Sequence, residues 1–330
     1  MKAIRYHRYG SPDVLGLEDV DVPVVGDEDV LVKVMAAAVN PLDVHFMRGT
    51  PYVLRTRAGL FRPSTGGMGG DLAGRVEAVG RKVTRFKTGD EVFGGRAAAP
   101  VERSAAFAEY ASLHQDGMVR RKPVNLTFEQ AASVPVAAVT ALQALRDKGR
   151  VRSGDRVLVN GAAGGVGTFA VQLAKAYGAE VTGVCGTGNV ELVRSIGADH
   201  VVDHTRDDVT RAGRRYDLMV DMAGNHTLSA IRGVLTPKGV LVAVGGPVKG
   251  RWIGPVTGPL KMLALSRVVS QTLAPMLAHR SGDDLVVLRE LIEAGKVTPV
   301  IDRTYPLSAV PDAIRHLEEG HARGKVVIIT

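Results

Sequence analysis

The rhythm of apolar and polar positions changes character near residue 150 of this 330-residue chain. Before that point, short apolar runs lie at residues 2–6, 30–34, 74–79, 91–93 and 107–110, punctuated by glycine, proline and aspartate. Such spacing predicts an irregular, β-rich region. Thr127-Phe-Glu-Gln130 matches a capping box and opens a helical stretch to about residue 148, broken at Pro135. Beyond it, buried strands are expected at 156–159, 180–185, 200–203, 216–221 and 240–244. Between them, Val166, Phe169, Ala170, Leu173, Ala174 and Tyr177 share one helical face, with Gly178 as the stop. Shorter helices are expected at 190–196 and 228–235. Strands alternating with helices predict a parallel, doubly wound α/β sheet. The run at 325–330 has no partner in that sheet and is expected to return to the first region. The apolar window 258–277 is interrupted by Lys261, Arg267 and Gln271, which predicts a core helix or an interface rather than a membrane span.

The turn after the first of these strands reads Asn160-Gly-Ala-Ala-Gly-Gly-Val-Gly167. A strand, a glycine-rich turn and an amphipathic helix are the context in which backbone N–H groups approach a dinucleotide pyrophosphate. Gly164 and Gly167 fill the second and third fingerprint positions, but Ala162 stands at the first. Alanine at φ > 0 costs about 1–2 kcal/mol. Ala162 is therefore expected at φ < 0, with Gly164 and Gly165 supplying the unusual backbone and Ala163 and Val166 completing the loop. The second strand runs into Cys185-Gly186-Thr187-Gly188-Asn189 without a carboxylate to repel a 2′-phosphate. Thr187 and Asn189 can donate to one, so NADPH is favoured over NADH, with NADH possible.

Charge and composition narrow the field. The net charge is +8, from 42 basic and 34 acidic residues. Its densest patches, 120–122 and 211–215, lack interleaved aromatics, so they are read as solvated faces and nucleic acid is not expected. One cysteine, Cys185, excludes an intrachain disulfide and a four-cysteine zinc site. The amino terminus has no apolar signal core, and a cytoplasmic location without membrane association is expected.

These residues are similar over nearly the whole chain to the medium-chain dehydrogenase/reductase superfamily, in its zinc-free quinone oxidoreductase-like branch. The glycine loop carries the resemblance, with the segments at 37–43, 70–80, 89–94, 107–110, 197–203, 295–302 and 320–328. The resemblance implies a GroES-like, β-rich catalytic domain over 1–124, completed by about 266–330. It implies a Rossmann domain over 125–265, with the active site in the cleft, NADPH as cofactor, and a homodimer. In the superfamily's zinc alcohol dehydrogenases, the first cysteine ligand falls at Asn40 and the histidine ligand at Gly70, so no catalytic metal is expected. The basic residue usual in the adenosine loop is Gly188 here, and a tyrosine common after the next strand is His204. Lys325 is the nearest remaining cation for the 2′-phosphate. Asn40 is expected at the nicotinamide ribose or the substrate oxygen and Thr140 beside the nicotinamide. Gly186, Ala223, Val244, Gly245 and Gly246 are expected along the cofactor.

Without a Lewis acid, conjugated acceptors are easier to reduce than simple ketones, because charge delocalises and positioning supplies much of the catalysis. The expected reaction is therefore NADPH-dependent reduction of a quinone or an α,β-unsaturated carbonyl, with a small-molecule substrate. His45 and Tyr52 are the candidates for proton delivery or oxyanion stabilisation. The alternatives are an enoyl-thioester reductase of the same fold, and a non-enzymatic protein binding NADPH and RNA.

Overall fold

The computed structural model describes residues 1–64, 66–95, 105–245 and 254–330. The chain divides into two compact units, Met1–Val139 with Arg280–Glu293 and Pro299–Thr330, and Thr140–His279 with Ala294–Thr298.

The first unit is built on a seven-stranded sheet. Its order is Ile301–Pro306, Lys325–Ile329, Asp29–Ala38, Asp71–Val79, Glu91–Gly95, Val119–Arg121, with Tyr110–His114 also pairing Asp29–Ala38. The carboxyl-terminal run does return to this unit: Val327 lies opposite Ala38 in antiparallel register, and the same strand runs parallel to Ile301–Pro306. That topology sets Lys325 beside the end of the strand that leads into Asn40. The run expected at 107–110 forms its strand slightly later, because Ala108 is used in an isolated bridge to Ala3. Thr127 and Gln130 close the capping box of the helix Phe128–Ala132. Alternate residues of the strands, among them Val30, Val32, Val34, Leu72 and Val92, meet Phe107, Ile314 and Ile328 in one core.

In the second unit six strands are all parallel. Their order is His200–Asp203, Glu180–Cys185, Arg156–Asn160, Tyr216–Asp221, Leu235–Ala243, Thr272–Pro275. Numbered within the unit this is 3-2-1-4-5-6, the doubly wound order whose reversal lies beside the first strand, where such sheets bind dinucleotides. The window 258–277, expected as a core helix or an interface, divides between a helix and a strand. The helix Gly254–Ser266 ends there, and Thr272–Pro275 adds a sixth strand, parallel to the preceding one. Gln271, buried at the turn, holds the carbonyls of Arg232 and Thr236.

The division falls at 139/140 and 279/280, later than the 124 and 265 read from the sequence. The helix Phe128–Ala132 packs on the first unit's strands, and the sixth parallel strand carries the second unit past residue 265. Among the described residues no helix is long and apolar enough to cross a membrane.

Candidate cofactor and active site

The glycine loop joins the strand Arg156–Asn160 to the helix Gly165–Ala176. Ala162 has no positive φ, as expected; Arg150 is the single non-glycine residue described with one. The unusual backbone, however, is at Gly161 (φ 91°), not at Gly164, whose φ is −80°. Thus the loop reads Gly161-x-x-Gly164-x-x-Gly167, with its tight turn one residue earlier than the usual fingerprint. Each glycine has its own reason. A Cβ on Gly167 would lie 2.0 Å from the Gly161 carbonyl oxygen, so the helix could not pack against the turn. A Cβ on Gly164 would meet only that oxygen, at 3.5 Å, so this glycine leaves space for a ligand. Ala162 is fully buried, and its methyl fills the gap above Gly183. No side chain caps the helix amino terminus. Its N–H groups and partial positive charge suit a pyrophosphate, at about 0.3–1 kcal/mol per anionic group.

The adenosine end differs from the sequence reading. No carboxylate follows Cys185 in the chain, but the neighbouring parallel strand supplies one, because Asp203 is in register with Cys185. The Thr187 hydroxyl donates to Asp203 Oδ2 at 2.6 Å and lies 2.8 Å from the Thr205 hydroxyl. The hydrogen bond from Thr187 holds the Asp203 carboxyl below its usual range. Arg206 Nε lies 3.7 Å from Asp203, the carboxylate that Thr187 engages. His204 is exposed and lies beside Gly186. Asn189 keeps a buried Oδ1 without a hydrogen-bond partner, an acceptor suited to a ribose hydroxyl. The Cys185 thiol is pushed up to about 11 by burial and by Asp203, so it stays protonated.

Across the strand reversal, Asp221 organises the other wall. Its carboxylate accepts from Asn160 Nδ2 at 2.8 Å and from the N–H groups of Ala223 and Gly224 at 3.2 and 2.9 Å. Its carbonyl accepts from Val244 and Gly245 at 2.9 and 3.3 Å. Three of the expected cofactor positions, Ala223, Val244 and Gly245, are therefore gathered around one buried aspartate that sequence reading missed. Asn160 also donates to Asn225 Oδ1 at 2.9 Å. Gly246 lies outside the described residues. Thr140 is buried in the helix Pro135–Gln143.

In the first unit, Asn40 caps the helix Pro41–Arg48 and sits in a buried polar network. Lys325 Nζ donates to Asn40 Oδ1 at 2.6 Å and to the Val39 carbonyl at 3.1 Å. Asn40 Nδ2 donates to Asp71 Oδ2 at 3.0 Å, and Asp71 Oδ2 lies 3.7 Å from the ammonium. Burial pushes the Asp71 carboxyl up against the pull of Lys325, and pushes the Lys325 ammonium down against the pull of Asp71. The Lys325 ammonium, expected at an adenosine phosphate, is instead engaged by Asn40 Oδ1, the Val39 carbonyl and Asp71.

Residues 26–124 match the alcohol dehydrogenase GroES-like domain, and residues 196–328 match a family described as zinc-binding dehydrogenase. The chain is 36% identical, over 97% of its length and 87% of the relative's, to the mitochondrial NAD(P)H oxidoreductase RTN4IP1 of Mus musculus. It is 36% identical, over 99% of its length and 79% of the relative's, to the chloroplastic NADPH-dependent alkenal/one oxidoreductase of Arabidopsis thaliana. The quinone oxidoreductase structure from Coxiella burnetii superposes with a TM-score of 0.87 at 30% identity, covering 100% of this chain and 99% of that one. The chain belongs to the medium-chain dehydrogenase/reductase superfamily. Within it, the chain falls in the quinone oxidoreductase-like branch.

The positions that the resemblance assigns to the zinc enzymes' ligands are engaged in other contacts here. Where the resemblance expects two of those ligands stand an amide, Asn40, and a residue with no side chain, Gly70; a Cβ on Gly70 would lie 4.0 Å from Asn40 Nδ2. The adjacent carboxylate, Asp71, is engaged by Asn40 and faces an ammonium. Among the described residues no three His, Cys, Asp or Glu side chains group as a metal site.

The reductase's two candidate proton donors lie on successive elements. His45, on the helix Pro41–Arg48, donates from Nδ1 to the Thr50 carbonyl at 3.0 Å. In the neutral ring this leaves Nε2 as an acceptor, so His45 can release a proton from Nε2 only as the imidazolium. Tyr52 opens the short 3₁₀ turn Tyr52–Leu54, with the Arg55 guanidinium 4.6 Å from its ring centroid. The same guanidinium lies 4.4 Å from the Tyr9 ring.

Proposed function

We propose that the protein reduces conjugated carbonyl compounds, quinones or α,β-unsaturated ketones and aldehydes, with NADPH and without a metal. The observation that carries this reading is the Lys325–Asn40–Asp71 network at the position where zinc enzymes of the superfamily place their donors. A site with an amide there has no Lewis acid to polarise an isolated carbonyl. An acceptor whose charge delocalises over a conjugated system needs less help, and orientation then supplies much of the rate. The name of the Arabidopsis relative, an NADPH-dependent alkenal/one oxidoreductase, supports the acceptor class and the cofactor.

The residues present suit a nicotinamide nucleotide: the spacing of Gly161, Gly164 and Gly167, the uncapped helix and the unpartnered Asn189 Oδ1 form its cradle. When bound, that nucleotide supplies the hydride. Asp221 orders the backbone of Ala223, Val244 and Gly245 along the cradle. Thr187, Thr205 and Arg206 face the 2′-phosphate, with Arg206 as its cation in place of the missing basic residue at 188. Tyr52 hands over the proton that completes conjugate reduction, while His45 anchors the Thr50 turn that precedes it.

The test is NADPH consumption against a panel of a quinone, an alkenal, an enone, the corresponding saturated ketone and an enoyl thioester, each repeated with NADH. The reading requires kcat/KM for the enone to exceed that for the saturated ketone by about a hundredfold, or about 2.7 kcal/mol of barrier. A saturated ketone reduced equally well, or an enoyl thioester preferred over every other acceptor, contradicts it.

A further inference from the structure

We propose that a cavity at the amino-terminal ends of the second unit's parallel strands binds a small diphosphate, a ligand separate from the nucleotide at the glycine loop. The site lies wholly within that unit and is independent of the proposed reaction.

The glycine loop leaves the carboxyl end of the strand Arg156–Asn160, and Arg156 opens the same strand at the other end of the sheet. At that other end lies a cavity of about 700 Å³, within the range of small-molecule sites. Lys148, Arg150, Arg152 and Lys238 line it. Among the described residues, none of these four side chains takes part in a hydrogen bond or an ion pair. Other surface cations of the unit do: Lys175 pairs with Asp199, Arg194 with Glu191 and Arg214 with Glu180.

Three carboxylates also line the cavity, and each is already engaged. Asp147 holds Arg146 through both oxygens, at 2.5 and 2.8 Å. Asp155 accepts the Arg152 backbone N–H at 2.8 Å. Asp217 accepts the Arg156 backbone N–H at 3.0 Å, with Arg156 Nε 3.6 Å away. The cavity therefore carries a surplus of positive charge. Like charges gathered on one rim repel one another until an anion joins them.

Two irregularities of the backbone bring the cations there. The helix Ala144–Lys148 ends at Gly149, and Arg150 follows in the left-handed region at φ 51°. A glycine adopts that conformation freely, whereas a Cβ disfavours it. The Val151 N–H closes the turn on the Leu145 carbonyl at 3.0 Å. An arginine stands where glycine would be easier, and it lines the cavity. Next, the strand Leu235–Ala243 departs from its ladder. Leu235 lies opposite Tyr216 and Val240 opposite Leu218, so residues 236–239 face Asp217 alone. This excursion carries Thr236 and Lys238 to the cavity, as bulges re-aim side chains elsewhere.

Phosphate answers this charge better than carboxylate. A phosphate group carries about −1.5 to −2 at neutral pH and three acceptor oxygens. Two linked phosphates thus meet four cations within one compact ligand, where single carboxylates would have to number four. Arginine forks also match phosphate oxygens in pairs.

The test is calorimetric titration of inorganic pyrophosphate into protein saturated with NADPH, which keeps the glycine loop occupied. One pyrophosphate per chain is expected, with inorganic phosphate and citrate each at least about tenfold weaker. Arg150→Gly is expected to weaken pyrophosphate about tenfold, the scale of one charged hydrogen bond, and to melt about 2 °C higher because the left-handed turn relaxes. Arg152→Gln/Lys238→Gln is expected to lose about a hundredfold. Both variants keep NADPH affinity within about twofold, because the two sites share no residue. No pyrophosphate binding in the NADPH-saturated protein overturns the inference. So does equal pyrophosphate affinity in wild type and both variants, or citrate bound as tightly as pyrophosphate. A single-stranded RNA held with the salt dependence of several phosphates, and not displaced by pyrophosphate, would make the rim a nucleic-acid surface and overturn it too. If NADPH fails to bind, the proposed function falls, and the same variants titrated without nucleotide still decide the inference.

Discussion

A single methyl group decides how the nucleotide loop is read. Ala162 occupies the first glycine position of the usual fingerprint, yet nothing is lost there. The left-handed turn belongs to Gly161, and the buried Ala162 methyl fills space above Gly183. Two substitutions separate these roles. Gly167→Ala places a Cβ 2.0 Å from a backbone carbonyl, which must displace the helix; we expect NADPH affinity to fall by at least about a hundredfold and stability to fall by about 1–3 kcal/mol, as for overpacking. Ala162→Gly restores the fingerprint on paper, removes a packed methyl and adds backbone entropy. It is expected to cost about 1 kcal/mol in chemical denaturation and to leave NADPH binding no tighter. Tighter binding by Ala162→Gly would show that the alanine is a defect after all. The glycine pattern and the φ of Ala162 were legible in the sequence, because steric rules act on single residues. The shift of the turn to Gly161 was not, since either neighbouring glycine could carry it.

At the scale of elements, the lateral pairing of strands supplies what linear reading cannot. The strands Glu180–Cys185 and His200–Asp203 were readable from their apolar runs, and their bounds agree with the structure. Their register was not readable, and it is register that brings Asp203 and Thr205 to Thr187, with Arg206 beside Asp203. A carboxylate beside the ribose ordinarily favours NADH, whereas a cation beside it favours the 2′-phosphate. The proposed function makes Arg206, 3.7 Å from Asp203, the cation that tips this balance. Arg206→Ala is thus expected to weaken NADPH about tenfold, the order of a charge-assisted hydrogen bond, with NADH changed less than twofold. Equal losses for the two nucleotides in a direct titration would remove Arg206 from the 2′-phosphate site. Likewise Asp221 escaped sequence reading, because a strand-terminal aspartate has no signature until the neighbouring strand ends are placed around it.

For the whole molecule, the network at Asn40 depends on residues 285 positions apart, joined when the last strand returns to the first unit. The return of that strand was legible as an apolar run without a local partner. Its consequence for Lys325 was not, because the lysine's burial depends on where Asn40 and Asp71 lie. The GroES-like and doubly wound units follow from pattern and motif together, while the chemistry follows from which polar groups the fold leaves buried, paired and fixed. The central claim is conjugate reduction by a bound nicotinamide nucleotide at a site with an amide and an ammonium in place of metal donors. It is tested most directly by supplying an enone with NADPH that carries deuterium at the transferable C4 position. The account predicts one deuterium on the β-carbon of a saturated ketone product, with the α-carbon proton drawn from solvent. Deuterium on the carbonyl carbon of an allylic alcohol, or a product without deuterium, would contradict it.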